Sequence, residues 1–129
     1  MVTIAQALAR ATSGATPVDE TAESLRFEAE LLLMNALGYS RASLLTWPER
    51  EVAPSALASF EQALSRRLAG EPIAYILGTK EFWDFELVVS PAVLIPRPET
   101  ELLVESALEI VAHREGIQHL LDLGTGSGA

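Results

Sequence analysis

Residues 119–129 read His-Leu-Leu-Asp-Leu-Gly-Thr-Gly-Ser-Gly-Ala, a short apolar run followed by a glycine-rich turn. The run 119–123 predicts a buried strand, because short apolar segments that end at glycine are typical of sheets covered on both faces. A strand that leads directly into such a turn usually opens a nucleotide-type α/β unit, in which glycines let the backbone approach a ligand closely. The stretch therefore predicts the beginning of an α/β domain.

The rest of such a domain does not follow in the sequence. In an α/β unit the next helix normally completes the ligand site, and parallel strands flank the first strand. A lone strand cannot satisfy its own backbone donors and acceptors. We therefore expect the chain to be a fragment that ends inside its cofactor loop, and we expect residues 100–129 to lack their sheet partners.

Three interpretations of the glycine turn are open at this point. Gly124, Gly126 and Ala129 satisfy the G-x-G-x-x-G/A pattern of dinucleotide-binding proteins. With Gly128 as a further glycine and Asp122 before the turn, the segment also resembles the first motif of class I S-adenosylmethionine-dependent methyltransferases. The third interpretation is a turn without a ligand. A phosphate-binding P-loop is excluded, because the Gly-Lys-Ser/Thr ending is absent.

The first 77 residues show helical patterns. Thr3 and Gln6 have the spacing of a capping box for a helix that ends near Gly14, and Gly38 suits a left-handed C-terminal cap. Pro54 suits the first turn of another helix. Apolar residues recur at helical spacing in two segments: Leu25, Ala29, Leu32 and Ala36, and then Leu57, Phe60, Leu64 and Leu68. The pattern predicts a helical bundle over 1–77, with a further short helix near Ser40.

After Gly78 the sequence favours strands. Residues 79–82 and 85–89 contain aromatic and β-branched residues on either side of Trp83-Asp84, which predicts a β-hairpin. Pro96 and Pro98 push the residues before them into extended conformations. A helix is then expected from Pro98 or Thr100 to the vicinity of Gly116.

The composition excludes several classes of protein. The 129 residues include 9 Lys and Arg against 18 Asp and Glu, a net charge of −9, and no cysteine. Without Cys there is no disulfide framework, thiolate metal site or Cys nucleophile. The scarcity of clustered basic residues argues against a direct nucleic-acid binder. No apolar run approaches the roughly 20 residues that span a membrane, and no secretory leader opens the chain, so we expect a cytoplasmic protein.

Several charged residues near the second proline have structural explanations. Arg97 is expected to form an ion pair with Glu99 or Glu101, although a ligand carboxylate is the alternative partner. Glu99 and Glu101 suit the first turn of a helix, where the helix dipole favours negative charge. Thr100 is expected to be the N-cap of that helix.

The other candidate residues are also assigned structural roles. His113 and His119 lack the further ligands or nucleophile that a metal site or a catalytic triad needs. We expect packing roles for three aromatic residues, Trp47, Phe82 and Trp83. We expect solvated positions for four acidic residues that would offer a surface to a basic partner if they clustered: Glu20, Glu23, Glu28 and Glu30.

Four motifs occur in order along the chain. They are Gly-Glu-Pro-Ile-Ala-Tyr-Ile-Leu-Gly at 70–78, Glu-Phe-Trp at 81–83, Leu-Ile-Pro-Arg-Pro-Glu-Thr-Glu at 94–101, and Leu-Asp-Leu-Gly-Thr-Gly-Ser-Gly-Ala at 121–129. With these motifs the sequence resembles the bacterial-type N5-glutamine methyltransferases that modify peptide-chain release factors. Enzymes that methylate a ribosomal-protein glutamine are similar, but their sequences usually differ in the segment 95–101. They are therefore the second candidate family.

The resemblance implies a mainly α chain in three parts. These are a helical substrate-recognition domain over 1–77, a β-hairpin connector over 78–98, and over 99–129 the truncated start of a class I, Rossmann-like α/β methyltransferase domain. It implies methyl transfer from S-adenosylmethionine to the glutamine of the Gly-Gly-Gln motif of release factors. The implied cofactor-binding residues are Gly124, Thr125, Gly126, Ser127 and Gly128.

The resemblance places no catalytic residue in this chain. The family's Asn-Pro-Pro-Tyr motif, whose acceptors hold the substrate amide, is absent from the sequence. We therefore expect the chain by itself to have no methyltransferase activity and negligible affinity for the methyl donor. A hypothesis of a different class is a stand-alone helical protein-binding module with an unstructured C-terminal remnant.

Overall fold

Helices dominate the fold, as the sequence predicts. The computed structural model describes residues 1–14 and 21–129. Within these residues it contains six helices and one two-stranded antiparallel sheet: α1 Ile4–Thr12, α2 Ala22–Leu37, α3 Arg41–Thr46, α4 Pro54–Leu68, α5 Ile73–Leu77, β1 Thr79–Phe82, β2 Phe85–Val88 and α6 Pro98–Ala112. The chain divides into two compact units, Met1–Leu77 and Gly78–Ala129, and each is described by itself.

Local capping signals set the helix ends in the first unit. The predicted capping box is confirmed: the Gln6 N–H donates to Thr3 Oγ1 (3.3 Å) and the Thr3 N–H donates to Gln6 Oε1 (3.1 Å). Helix α2 ends at Gly38, whose φ of 66° is the left-handed conformation that glycine adopts most readily. Ser40 caps α3, and Pro54 occupies the first turn of α4, where its missing N–H leaves no hydrogen bond unmade.

Helix α2 organises the core of the first unit, because it packs against α1, α3, α4 and α5. Three of the four predicted core residues on α2, namely Leu25, Ala29 and Leu32, are buried. On α4 only Phe60 is fully buried, and Leu68 is 40% exposed at the last residue of the helix. The core cluster consists of Ile4, Ala7, Leu8, Ala11, Ala29, Leu32, Leu33, Leu44, Val52 and Phe60.

The hairpin of the second unit forms where the sequence predicts it. Strands β1 and β2 pair in register, with Thr79 opposite Val88 and Phe82 opposite Phe85. The Val89 N–H donates to the Gly78 carbonyl at 3.0 Å, which extends the pairing past the end of β2.

The predicted strand over 119–123 is wrong: the structure has no strand there. Its leucines are exposed, with 83% of the surface of Leu121 and of Leu123 accessible. No neighbouring strand pairs with this segment in the described part of the chain, so its backbone has no ladder to join. Helix α6 ends at Ala112, before Gly116, and has no buried residue.

The packing of α2 gives a direct test of the first unit. Replacing the fully buried Leu33 with Ala removes apolar contacts and leaves a cavity, so the free energy of unfolding should fall by about 2–5 kcal/mol. Leu45→Ala, at a side chain that is 59% exposed, should change it by less than about 0.5 kcal/mol. Urea unfolding followed by circular dichroism measures both, and equal effects would contradict this core assignment.

Candidate functional site

The glycine turn adopts a backbone conformation that requires glycine. Gly124, Gly126 and Gly128 have φ values of 75°, 55° and 88°, in the region that L side chains rarely adopt. A Cβ built on any of the three would have no heavy atom within 4 Å, so the space beside the backbone is open. The Gly128 N–H donates to the Thr125 carbonyl at 2.9 Å and closes the turn.

This turn forms one wall of a cavity of about 430 Å³ within the second unit. Four of the five predicted cofactor-binding residues line the cavity, Gly124, Thr125, Gly126 and Ser127, whereas Gly128 does not. The opposite wall comes from the segment before and within the first turn of α6: Leu94, Ile95, Pro96, Arg97, Glu99, Thr100 and Leu103. Two of the four motifs therefore meet at one cavity, although residues 102–120 separate them in the chain.

The cavity contains charges of both signs. Arg97 and Glu99 lie on one wall, and Asp122 lies where the chain enters the glycine turn. The cavity thus offers two carboxylates and one guanidinium beside exposed backbone. Such a site suits a ligand that carries both cationic and anionic groups.

The expected local ion pair of Arg97 is wrong. Among the described residues, Arg97 forms no ion pair with Glu99 or Glu101. The Glu101 carboxylate instead accepts a hydrogen bond from the Trp83 N–H at 3.0 Å. Neither of the two carboxylates close to Arg97 in sequence forms an ion pair with it, and Arg97 lines the cavity.

The start of α6 also differs from the expectation for Thr100. Arg97 occupies the N-cap position, Pro98 follows it, and no side chain caps the helix. Thr100 lies inside the first turn, where its N–H donates to the Arg97 carbonyl at 3.0 Å. Proline sets the helix start because its fixed φ suits the first helical position. Glu99 and Glu101 lie in the first turn as predicted.

The histidines and most predicted aromatic anchors do not contribute to this cavity. His113 lies at the C-cap of α6, and both His113 and His119 are exposed. Trp47 and Trp83 are 54% and 42% exposed, so only Phe82 is buried as expected. In residues 1–14 and 21–129, no cluster of His, Asp or Glu could hold a metal ion, and no helix is long and apolar enough to span a bilayer.

The expected solvated position of Glu30 is wrong, because only 4% of its surface is exposed. Its carboxylate lies 2.9 Å from Nε of Arg41 and 3.6 Å from Nε of Arg26. The spacing of Arg26 and Glu30, one helical turn apart, is a sequence signal that could have indicated the pair. The contact with Arg41 depends on the path of the chain into α3.

Glu28 is also less solvated than expected. Its carboxylate is 2.7 Å from Nε of Arg67 on α4, and burial raises the pKa of Glu28 above its ordinary value. Glu23 is exposed as expected, and Glu20 lies outside the described residues. Glu28 and Glu30 already have cationic partners within the chain, so neither carboxylate is free for a basic partner protein.

Comparison with known proteins identifies the family. Residues 6–78, more than half of the chain, match the family described as PrmC N-terminal domain. The chain belongs to this family. The family resemblance drawn from the ordered motifs is thereby confirmed.

Several curated relatives share the name Release factor glutamine methyltransferase. The protein of Aliivibrio fischeri is 52% identical over 110 residues, which are 85% of this chain and 38% of that protein. The protein of Vibrio cholerae is 53% identical over 107 residues (83% and 37%), and that of Coxiella burnetii is 47% identical over 129 residues (100% and 45%). The chain spans less than half the length of the curated relatives it matches.

The buried carboxylate of the first unit generates a second prediction. The Glu30 carboxylate accepts a hydrogen bond from Nε of Arg41, and Glu30→Gln removes its negative charge. The free energy of unfolding should therefore fall by about 1–3 kcal/mol. Glu61→Gln, at an exposed position of α4, should change it by less than about 0.5 kcal/mol. Denaturant unfolding at neutral pH measures both variants, and an unchanged midpoint for Glu30→Gln would refute the structural role of the pair.

Proposed function

We propose that the chain is the N-terminal part of an S-adenosylmethionine-dependent methyltransferase that methylates the glutamine side chain of the Gly-Gly-Gln motif of peptide chain release factors. The observation that carries the donor assignment is the glycine turn, in which the left-handed Gly124 and Gly126 border a charged cavity. The names of the relatives support the assignment of release factors as substrates. The exposed backbone supports the interpretation that this turn binds a ligand over the interpretation that it is only a structural turn.

The residues around the cavity suit S-adenosylmethionine. The donor has a sulfonium, an ammonium and a carboxylate but no phosphate, so it needs close backbone approach and countercharges more than an anion cradle. The backbone of Gly124–Ser127 would hold it, Glu99 and Asp122 would attract its cationic groups, and Arg97 would attract its carboxylate. When bound, the donor supplies an electrophilic methyl carbon, because the positively charged sulfonium sulfur that carries it is a good leaving group and departs as a neutral thioether.

In this proposal the three segments have separate roles. The bundle over 1–77 recognises the release factor, and residues 99–129 begin the donor-binding domain. The segment 78–98 connects these two parts. An amide nitrogen is a weak nucleophile, so catalysis depends on holding and aligning it. The chain has no Asn-Pro-Pro-Tyr sequence to do this. We therefore expect the 129-residue chain to be inactive by itself.

A chimera tests the proposed function. The chain replaces the matching segment of the Coxiella burnetii relative, with which it aligns over all 129 residues. Incubation with labelled S-adenosylmethionine and a release factor should label the glutamine of the Gly-Gly-Gln motif. Gly126→Val should reduce labelling by about tenfold or more, because a β-branched residue is strained at a φ of 55° and this position lines the cavity.

A matched control separates donor binding from strain. Gly116→Val puts the same side chain at another glycine with positive φ, 83°, that does not line the cavity. Labelling by this variant should stay within about twofold of the unmodified chimera. A folded chimera that binds no donor in calorimetry, or an equal loss in both variants, would refute the assignment of the turn.

A further inference from the structure

The segment between the hairpin and α6 borders two cavities of the second unit. Pro96 and Arg97 line the cavity of about 430 Å³ that contains the glycine turn. The same two residues line a second cavity of about 260 Å³, which we call the hairpin cavity. The other residues of the hairpin cavity come from the hairpin and from the start of α6: Lys80, Glu81, Phe82, Trp83, Pro98 and Glu101. One short segment therefore borders both the glycine turn and the hairpin.

A hydrogen bond joins the turn at the hairpin tip to the first turn of α6. The backbone N–H of Trp83 donates to Glu101 Oε1 at 3.0 Å. The strand pairing ends at Phe82 and Phe85, so the ladder offers no acceptor to the N–H of Trp83 in the turn between them. Hydrogen bonds to an ionised carboxylate are stronger than those between neutral groups. Glu101 is also half-buried, which limits competition from water for this bond.

Packing and proline stiffness support the same joint. Among the described residues of the second unit, the buried side chains are Phe82 and Val89, both from the hairpin region. Phe82 lines the hairpin cavity together with Pro96 and Pro98. Proline has a fixed φ, so these two prolines restrict the backbone on either side of Arg97. The segment is therefore short and stiff, and a displacement at its α6 end is passed on to Arg97.

We propose that Glu101 is a positioning residue for the methyl donor. Glu101 lines the hairpin cavity but not the cavity of the glycine turn, so it acts through the segment that borders both. By accepting the Trp83 N–H, it holds α6 against the hairpin and thereby fixes the wall formed by Pro96 and Arg97. A ligand between this wall and the glycine turn binds best when their separation is fixed in advance. This inference rests on the proposed function, which supplies the donor.

Three variants of the chimera test the inference. Glu101→Met keeps the length of the side chain but removes the acceptor, so Kd and KM for S-adenosylmethionine should rise by about three- to tenfold. The kcat at saturating donor should stay within about twofold, because Glu101 does not hold the reacting groups. Glu101→Gln keeps an acceptor oxygen, so its KM should lie within about twofold of that of the unmodified chimera. Calorimetry measures Kd, and labelling of the release factor at varied donor concentration measures KM and kcat.

A matched control separates positioning from stability and from direct contact. Glu105→Met is the same change at an exposed position one turn further along α6, and it should leave KM unchanged. A lower melting temperature for Glu101→Met with unchanged KM, or an equal rise in KM for Glu105→Met, would overturn the inference. Equal losses in Glu101→Met and Glu101→Gln would also overturn it, because they would indicate that the charge itself contacts the ligand.

A measurement on the unmodified chimera needs no variant. Coupling between two sites is reciprocal, so a donor that binds more tightly when the bond is formed also stabilises the bond. Saturating S-adenosylmethionine should therefore slow amide exchange of Trp83 by about threefold or more, while the neighbouring amide of Asp84 should be unaffected. Unchanged exchange at Trp83 would overturn the inference even if Glu101→Met failed to fold.

The same experiments separate this inference from the proposed function. An unmodified chimera that binds no donor refutes the proposed function, and the inference falls with it. An unmodified chimera that binds the donor and labels the release factor, but is insensitive to Glu101→Met, refutes the inference alone.

Discussion

Every backbone N–H and C=O needs a hydrogen-bond partner. This requirement is met within the helices of the first unit, but in the described part of the chain it is not met by a neighbouring strand at residues 119–123. In the first unit the helices satisfy most of these groups internally, and caps such as Thr3 satisfy several of the rest. The apolar faces of the helices are then free to pack around α2. Residues 119–123 have the composition of a buried strand, but a strand needs a neighbour for its hydrogen bonds. No neighbouring strand pairs with it among the described residues, and the segment is irregular with exposed leucines.

Local signals made most of the secondary structure predictable from sequence. The capping box at Thr3, the glycine at position 38 and the proline at position 54 each act within one helical turn, so neighbouring residues suffice to interpret them. The strand at 119–123 could not be predicted correctly in this way, because strand formation depends on pairing with a distant segment. The burial of Glu30 was missed for a similar reason, since it depends on Arg41 in the following helix.

The candidate site shows the same division. The glycines of the turn were identified from sequence, since their positive φ is a property of single residues. The charged wall of the cavity was not identified from sequence, because the closeness of Arg97 to Glu99 and Glu101 in the chain suggested an ion pair between them. Glu101 binds the Trp83 N–H, 18 residues earlier, and Arg97 lies beside the glycine turn. The same hydrogen bond that anchors the hairpin tip therefore occupies one of the expected partners of Arg97.

Amide hydrogen exchange tests most directly whether residues 119–129 require a partner to become ordered. In the monomeric 129-residue chain, the helices of the first unit should exchange slowly, whereas amides of 119–123 should exchange nearly as fast as in an unfolded peptide. In the chimera with the Coxiella burnetii relative, the same amides should gain strong protection because neighbouring strands supply acceptors. Uniformly slow exchange across 100–129 in the monomeric chain would contradict this account.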